Sequence, residues 1–224
     1  MLDIIFEDNH IIVVNKSVGD LVQGDATGDE PLSEKLKTYI KNKYNKPGNV
    51  YLGVVHRLDR PTSGVLIFAK TSKALSRLNK QFSERETQKI YWALVQSKPD
   101  NSSARIVHYL KRNPKKNKSF AYPKPIPEAK KAILNYKLIT SLDHYHLLEI
   151  NLETGRHHQI RAQLSAIGCP IKGDLKYGAK RSNPDGGIHL HAKSLSIIHP
   201  VKKEKMTFEA DLPQDKLWQA VLGF

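Results

Sequence analysis

The densest cluster of reactive side chains lies in VVHRLDRPTSGVLIFAK, residues 54–70. Asp59 sits there between Arg57 and Arg60, in a turn marked by Pro61 and Gly64. Opposite charge lowers a carboxyl pKa, so a carboxylate flanked by two guanidinium groups is held ionised. Such a group can do chemistry on a substrate, or it can be a charged turn neutralised by its neighbours. On composition alone the neutralised turn is the simpler reading. Ser63 stands in Thr-Ser-Gly and lacks the two flanking glycines of a hydrolase nucleophile elbow. The run from Gly168 to Gly173 has the spacing of a phosphate loop, but Asp174 follows where Lys is required, and there is no Gly-x-Gly-x-x-Gly. His189 and His191 alternate along one strand face, yet no Asp or Glu adjoins them, so ordinary sheet histidines are expected and no metal is assigned.

The elements that must carry these residues can be read from periodicity. Residues 4–6 and 11–14 are rich in β-branched side chains and separated by Glu7-Asp8-Asn9, which reads as a hairpin. A loop from Gly19 to Glu30 leads to Pro31 and then to Leu32, Leu36, Ile40 and Tyr44, one face of a helix that Pro47-Gly48 stops. Residues 65–69 read as a buried strand, and 71–86, with Leu75, Leu78 and Phe82 in register, as an amphipathic helix. Further strands are expected at 90–96, 134–139, 145–152, 188–191, 195–198 and 206–209. His157, Ile160, Leu164 and Ile167 mark a helix ending at Gly168, and Pro213 opens a last one with Leu217 and Val221. Strands and helices do not alternate regularly, so the expected class is α+β, a mixed and largely antiparallel central sheet flanked by helices. No linker or repeat divides the chain, and residues 1–224 are expected to form a single domain.

Charge points to the partner. The 224 residues carry 36 Lys and Arg against 22 Asp and Glu, a net charge of +14. That excess fits a polyanion, nucleic acid before an anionic membrane surface. Residues 111–131 hold eight Lys or Arg and one Glu, with Phe120 and Tyr122 between them. They suit either phosphate contacts with base stacking or a solvated basic loop. With 39% hydrophobic residues the chain has material for a core. The lone Cys169 allows neither an internal disulfide nor a cysteine zinc cage, as expected of a cytoplasmic protein. The first residues carry acids where a secretory signal is basic, and the longest apolar run falls far short of the ~20 residues of a membrane span.

The motifs taken together resemble a known family. His56-Arg57-Leu58-Asp59 followed by Thr62-Ser63-Gly64, then Lys89-Ile90-Tyr91, then Thr154-Gly155-Arg156-His157-His158-Gln159-Ile160-Arg161 are similar, in kind and order, to the signatures of RluA-type pseudouridine synthases. Gly173-Asp174, Tyr177-Gly178, Leu190-His191-Ala192 and His199-Pro200 extend the resemblance over essentially the whole chain. Two departures stand out. Lys16-Ser17-Val18-Gly19 replaces a Lys-Pro-x-Gly motif, and Gln163 stands where relatives often carry His. Many relatives also carry a small RNA-binding domain ahead of the catalytic one, whereas this sequence opens on the catalytic hairpin, so its own surface is expected to supply affinity.

The resemblance implies the pseudouridine synthase catalytic fold and an isomerase. It would cleave the bond from uracil N1 to ribose C1′ in a flipped uridine and rejoin the base through C5. No cofactor or metal is implied. Asp59 would be the essential carboxylate, either as nucleophile or as base on the sugar. Tyr91 would stack on the base and offer its hydroxyl, and Arg161 would pair with the catalytic Asp and keep it charged. Arg57 would fill the gap left by the flipped nucleotide, a task suited to a planar guanidinium. The other motif positions His56, Thr62, Lys89, Arg156 and Gln159 would bind substrate. The implied partner is a structured RNA, ribosomal or transfer, with the protein expected to be a monomer needing no membrane or protein partner. A catalytically silent RNA binder of the same fold is the alternative, and a uracil-releasing glycosidase a third. The joint presence of Asp59, Tyr91 and Arg161 favours the enzyme, since a pure binder has no use for a carboxylate that repels phosphate. A glycosidase normally needs a second carboxylate, and the Asp59 motif holds none.

Overall fold

Alternation of core-facing and outward residues along the strands explains most of the architecture, which is α+β. The computed structural model describes residues 2–24 and 28–223, so residues 25–27 of the loop after Gly19 lie outside the described residues. Contacts divide the chain into two compact units, Met1–Gln88 with Ala192–Asp211, and Lys89–His191 with Leu212–Phe224.

In the first unit the expected hairpin is β1 (Ile4–Glu7) and β2 (Ile11–Lys16), antiparallel and paired through β2 to β4 (Ser63–Ala69). A short β3 (Gly53–Val54) also pairs with β4. β10 (Leu190–Ile198) lies beyond β4 and pairs with β11 (Lys205–Glu209). The sequence suggests two strands at 188–191 and 195–198, but the chain runs through Lys193 and Ser194 without a break, because Ser194 pairs with Glu209 and the Lys193 carbonyl accepts from the Ala210 amide at 3.0 Å. Helix α1 (Leu32–Lys43) buries Leu32, Leu36 and Ile40. Helix α2 (Ser72–Glu84) is capped by Thr71, whose hydroxyl accepts from the Ala74 amide at 3.1 Å. Its inner face is Ala74, Leu78 and Gln81, and Gln81 bonds both backbone groups of Ile198, at 2.7 and 2.9 Å.

Glu7 ties this unit together. Its carboxylate accepts from Lys70 at 2.6 Å, Lys43 at 2.7 Å, Tyr44 at 3.0 Å and Tyr39 at 3.1 Å. Burial pushes its pKa up, but the hydrogen bonds from Lys43, Lys70 and Tyr44 outweigh that and bring it from 4.5 down to about 2. A lowered folded-state pKa adds stability that is complete above the unfolded value and is lost as pH falls through the folded one. Thermal unfolding followed from pH 6 to pH 2 is therefore expected to show a smaller drop in Tm below pH 4.5 for Glu7→Gln than for the wild type; equal slopes would contradict this role for Glu7.

The second unit is an antiparallel sheet in the order β5 (Gln88–Val95), β9 (His146–Leu152), β8 (Lys130–Ser141), β6 (Ser103–Asn113), β7 (Lys118–Tyr122). The two-residue repeat gives it two cores. Ala93, Val95, Leu148 and Ile150 face Ile160 and Leu164 of α3 (Gln159–Ala166), with Cys169 buried among them. Leu94 and Leu147 point the other way, onto Trp218 and Val221 of α4 (Lys216–Leu222). Residues 111–131 are not one continuous loop: they complete β6, form β7 and begin β8, with turns at 114–117 and 123–129 between them. Their outward lysines hid strands whose inward positions, such as Leu110 and Ala132, are buried. No helix among the described residues is long and apolar enough to cross a membrane.

Candidate active site

Asp59 lies half-buried in the loop between β3 and β4. That loop is gripped from several sides. The Thr62 amide donates to the Asp59 carbonyl at 3.0 Å, and the Gly19 amide to the Arg60 carbonyl at 3.0 Å. At its start, the His56 ring stacks on Phe82 at 4.8 Å, and its Nε2 accepts from the Ile67 amide at 3.3 Å. At its end, Gly64 has φ +116°, and a Cβ there would lie 2.3 Å from the carbonyl oxygen of Ala192. Only glycine lets β4 pass so close to β10. Arg57 is exposed and makes no hydrogen bond or ion pair among the described residues. Arg60 turns to Asp29, at 2.7 Å. Thr62 Oγ1 is buried with no hydrogen-bond partner among the described residues.

The deepest support of the loop comes from Lys16. Its side chain is 1% exposed, and its ammonium donates to the carbonyls of Thr62 at 2.8 Å, Ser17 at 2.9 Å and Arg60 at 3.2 Å. Burial lowers its pKa to about 8 against the pull of Asp20 and Asp59. Since the unfolded lysine titrates near 10.5, the unfolded chain binds more protons between those values, and wild-type stability should rise with pH across that interval. Lys16→Met is expected to lose this rise, which denaturant titrations at pH 7.5, 9 and 10.5 would read. It would also leave the three carbonyls without their donor, at a cost of about 1–3 kcal/mol, and slacken the Asp59 loop. Any reaction that uses Asp59 should then slow by about tenfold or more, since small misplacements of a reacting group cost that much. Unchanged turnover would contradict the positioning role.

In the second unit, Tyr91 and Lys89 lie on β5. Tyr91 is half-buried, paired in register with Ile150 and packed against the core beneath α3. Lys89 reaches toward Gly155, where a Cβ would sit 4.0 Å from its ammonium nitrogen. The turn that follows is built by buried polar groups. Gln159 Oε1 accepts from the Thr154 hydroxyl at 2.8 Å and from the Arg156 amide at 2.9 Å, while its Nε2 donates to the Ile133 carbonyl at 3.0 Å. Gln159 thus shapes the turn from within. Arg156 Nε donates to the Lys131 carbonyl at 3.1 Å.

Arg161, on the first turn of α3, is 5% exposed. Its Nε donates to Asp174 Oδ2 at 2.7 Å and its Nη2 to Asp174 Oδ1 at 2.9 Å, a two-pronged pair with a carboxylate 1% exposed. The guanidinium also lies 5.0 Å from the centroid of the Tyr177 ring. The hydroxyl of Tyr177 accepts from the Ser119 amide at 2.8 Å and meets His158 Nδ1 at 3.0 Å. His158 stacks on His157 at 3.8 Å, and His157 bonds Ser119 Oγ at 2.9 Å and Asn117 Oδ1 at 3.2 Å. Chained in this way, the tip of the basic β6–β7 hairpin is fastened to the helix that carries Arg161.

Within the first unit, then, His56, Arg57, Asp59 and Thr62 share one braced loop, and within the second Tyr91, Lys89, Arg156, Gln159 and Arg161 gather around β5 and the start of α3. Sequence reasoning did not single out Lys16 or the pairing of Asp174 with Arg161. Lys16 had a signal, since it occupies a core-facing place in the alternation of β2. Gln163 is fully buried, and its Nε2 donates to the carbonyls of Ala132 at 3.3 Å and Ile106 at 3.4 Å, so that departure is a packing position. His189 is held by Asn183 and Asp215, and no cluster of three His, Cys, Asp or Glu among the described residues could hold a metal.

Comparison with known proteins carries the same motifs further. The family model described as RNA pseudouridylate synthase matches residues 10–166. The chain is 34% identical over 224 residues to "Ribosomal large subunit pseudouridine synthase D" of Zymomonas mobilis, covering 96% of this chain and 70% of that protein. It is 34% identical over 227 residues to "Ribosomal large subunit pseudouridine synthase C" of Buchnera aphidicola, covering 98% and 69%. The solved structure of human RNA pseudouridylate synthase domain containing 4 superposes with a TM-score of 0.80 at 24% identity, covering 98% of this chain and 92% of that one, and shows the shared fold. With the motifs in order, the fold shared and the match running through both units, the chain belongs to the RNA pseudouridylate synthase family and is an isomerase whose substrate is RNA.

Proposed function

We propose that the protein converts one or more uridines of a structured RNA to pseudouridine, with ribosomal RNA of the large subunit as first candidate and transfer RNA as second. The names of the Zymomonas and Buchnera relatives support the first. Asp59 is the essential carboxylate in this reading. The observation that carries it is the bracing of its loop: buried Lys16, the His56–Phe82 stack and the Gly64 crossing all hold a half-exposed carboxylate in place. So much buried structure spent on one acidic loop suits preorganised chemistry. Tyr91 receives the base, Arg161 supplies fixed positive charge, and Arg57, exposed with no ion-pair partner among the described residues, is suited to fill the gap in the RNA stack. Thr62 Oγ1, buried with no partner among the described residues, is suited to meet a polar group of the bound nucleotide. His56, Lys89, Arg156 and Gln159 shape the surfaces that receive the substrate. Residues 1–224 act as one catalytic domain, and the family match across both units supports this. The protein works as a monomer in the cytoplasm, without a metal or cofactor.

The test is nucleoside analysis of unmodified large-subunit ribosomal RNA and transfer RNA after incubation with the protein. Pseudouridine in one pool, with uridine lost in equal amount and no free uracil, is the expected result. Free uracil would establish a glycosidase, and tight RNA binding with every uridine intact would establish the silent binder.

A further inference from the structure

A cleft of about 420 Å³ in the second unit is lined by Gln96, Tyr145, Lys172, Lys180, Arg181 and Ser182. Three of these six are cations. None of the three has a carboxylate partner among the described residues, in contrast to Arg105, Lys111 or Lys193, which pair with Glu153, Glu128 and Glu209. The nearby acids are engaged elsewhere. Asp185 Oδ1 accepts from the Gly187 amide at 2.9 Å, and Asp215 Oδ1 accepts from His189 at 2.9 Å and caps α4.

Lys172 is held in place by a chain of buried polar groups. Its ammonium donates to Asn183 Oδ1, Asn183 Nδ2 donates to His189 Nδ1 at 2.9 Å, and His189 Nε2 donates to Asp215. Every donor in this chain meets an acceptor only when His189 is neutral, and burial of its ring favours that form. Gly173, at φ +88°, belongs to the same arrangement, since a Cβ there would lie 2.8 Å from the Asn183 amide. The backbone of Lys180 is fixed too, its amide donating to Gln96 Oε1 at 3.3 Å. On the facing wall, the Tyr145 ring lies 5.9 Å from the Lys172 ammonium.

Three cations without a carboxylate partner among the described residues, one of them anchored from behind, together with an aromatic wall and the polar ends of Gln96 and Ser182, suit a phosphodiester with its attached base. We propose that this cleft is a second RNA-binding site, which takes one nucleotide remote from the target uridine, its phosphate on Lys172, Lys180 and Arg181 and its base against Tyr145. Gln96, one residue past the end of β5, follows Tyr91 by five positions, about 17 Å at the rise of a strand, so the nucleotide held here is not the one received by Tyr91. The site would add affinity and fix register on the RNA without taking part in bond making. This inference rests on the RNA substrate proposed above.

The experiment compares the wild type with Lys180→Gln/Arg181→Gln, with Tyr145→Leu, and with Lys202→Gln/Lys203→Gln, an equal loss of charge at two exposed lysines of the other unit. The probe is unmodified large-subunit ribosomal RNA, with affinity measured over a range of salt. The cleft double variant is expected to bind at least tenfold more weakly, with the slope of log affinity against log salt reduced by roughly 0.7–0.9, as loss of one phosphate contact requires. Tyr145→Leu should bind about tenfold more weakly with its slope unchanged. Pseudouridine formation at saturating RNA should stay within about twofold of wild type for both. Equal losses in the Lys202/Lys203 control, or wild-type affinity and slope in the cleft variants, would overturn the site. A wild type that forms no pseudouridine, while the cleft variants alone lose affinity, would overturn the proposed reaction and leave the site standing.

Discussion

Asp59→Asn should lower pseudouridine formation by a factor of about 10⁴ or more, the scale on which loss of a central reacting group acts. The substitution keeps the shape of the side chain and removes its charge, so the fold should be spared. The bracing contacts of the Thr62 and Gly19 amides and of the Lys16 ammonium end on backbone carbonyls, and that of the Ile67 amide ends on the His56 ring. RNA affinity should be equal to that of wild type or somewhat higher, because a negative charge beside the phosphates is gone. Rate measurements at saturating RNA, with binding followed in parallel, would check both halves. A variant retaining a tenth of wild-type turnover would remove Asp59 from the chemistry. A variant that no longer binds RNA would make it a binding residue instead.

The second large effect concerns Arg161 and Asp174. Both side chains are nearly inaccessible, 6% and 1% exposed, and each neutralises the other through two hydrogen bonds. Removing the guanidinium strands the buried Asp174 carboxylate, so Arg161→Met should cost about 3–5 kcal/mol. At roughly 2–4 °C per kcal/mol for a chain of this size, that lowers Tm by about 6–20 °C. The pair Arg161→Met/Asp174→Leu should recover much of that stability, since neither charge remains. It should still be inactive if the guanidinium serves the reaction. Arg161→Lys should not restore activity, because one ammonium cannot make the two-pronged contact. Calorimetry beside activity separates the roles: a stable double variant with wild-type turnover would make the pair structural alone.

Much of this architecture is legible in the order of residues. The β-branched runs at 11–14 and 65–69, the spacing of Leu32, Leu36 and Ile40, and the Thr71 cap each declare their element, because local pattern and tertiary burial agree there. Strands β6 and β7 were not legible. In residues 103–122 the outward lysines and arginines outnumber the inward apolar positions, so no alternation stands out until β8 supplies the partner. The same limit applies to the site. Asp59, Tyr91 and Arg161 were legible as motifs. What holds them was not, because contacts such as Lys16 with Thr62, or Arg161 with Asp174, join positions far apart in the chain. The core-facing place of Lys16 in β2 and the Gly173-Asp174 motif mark those residues, but neither tells which distant group each one meets.

The central claim is isomerisation at a uridine, and release of hydrogen from C5 reports it directly. RNA transcribed with tritium at uridine C5 releases that label to water when the base is rejoined through C5, while N1, freed from C1′, takes up a proton. The wild-type protein is expected to release tritium in a one-to-one ratio with the pseudouridine formed, to stop at a whole number of sites per RNA, and to leave no free uracil. No release from ribosomal or transfer RNA that the protein nonetheless binds, or release accompanied by free uracil and an abasic strand, would contradict it.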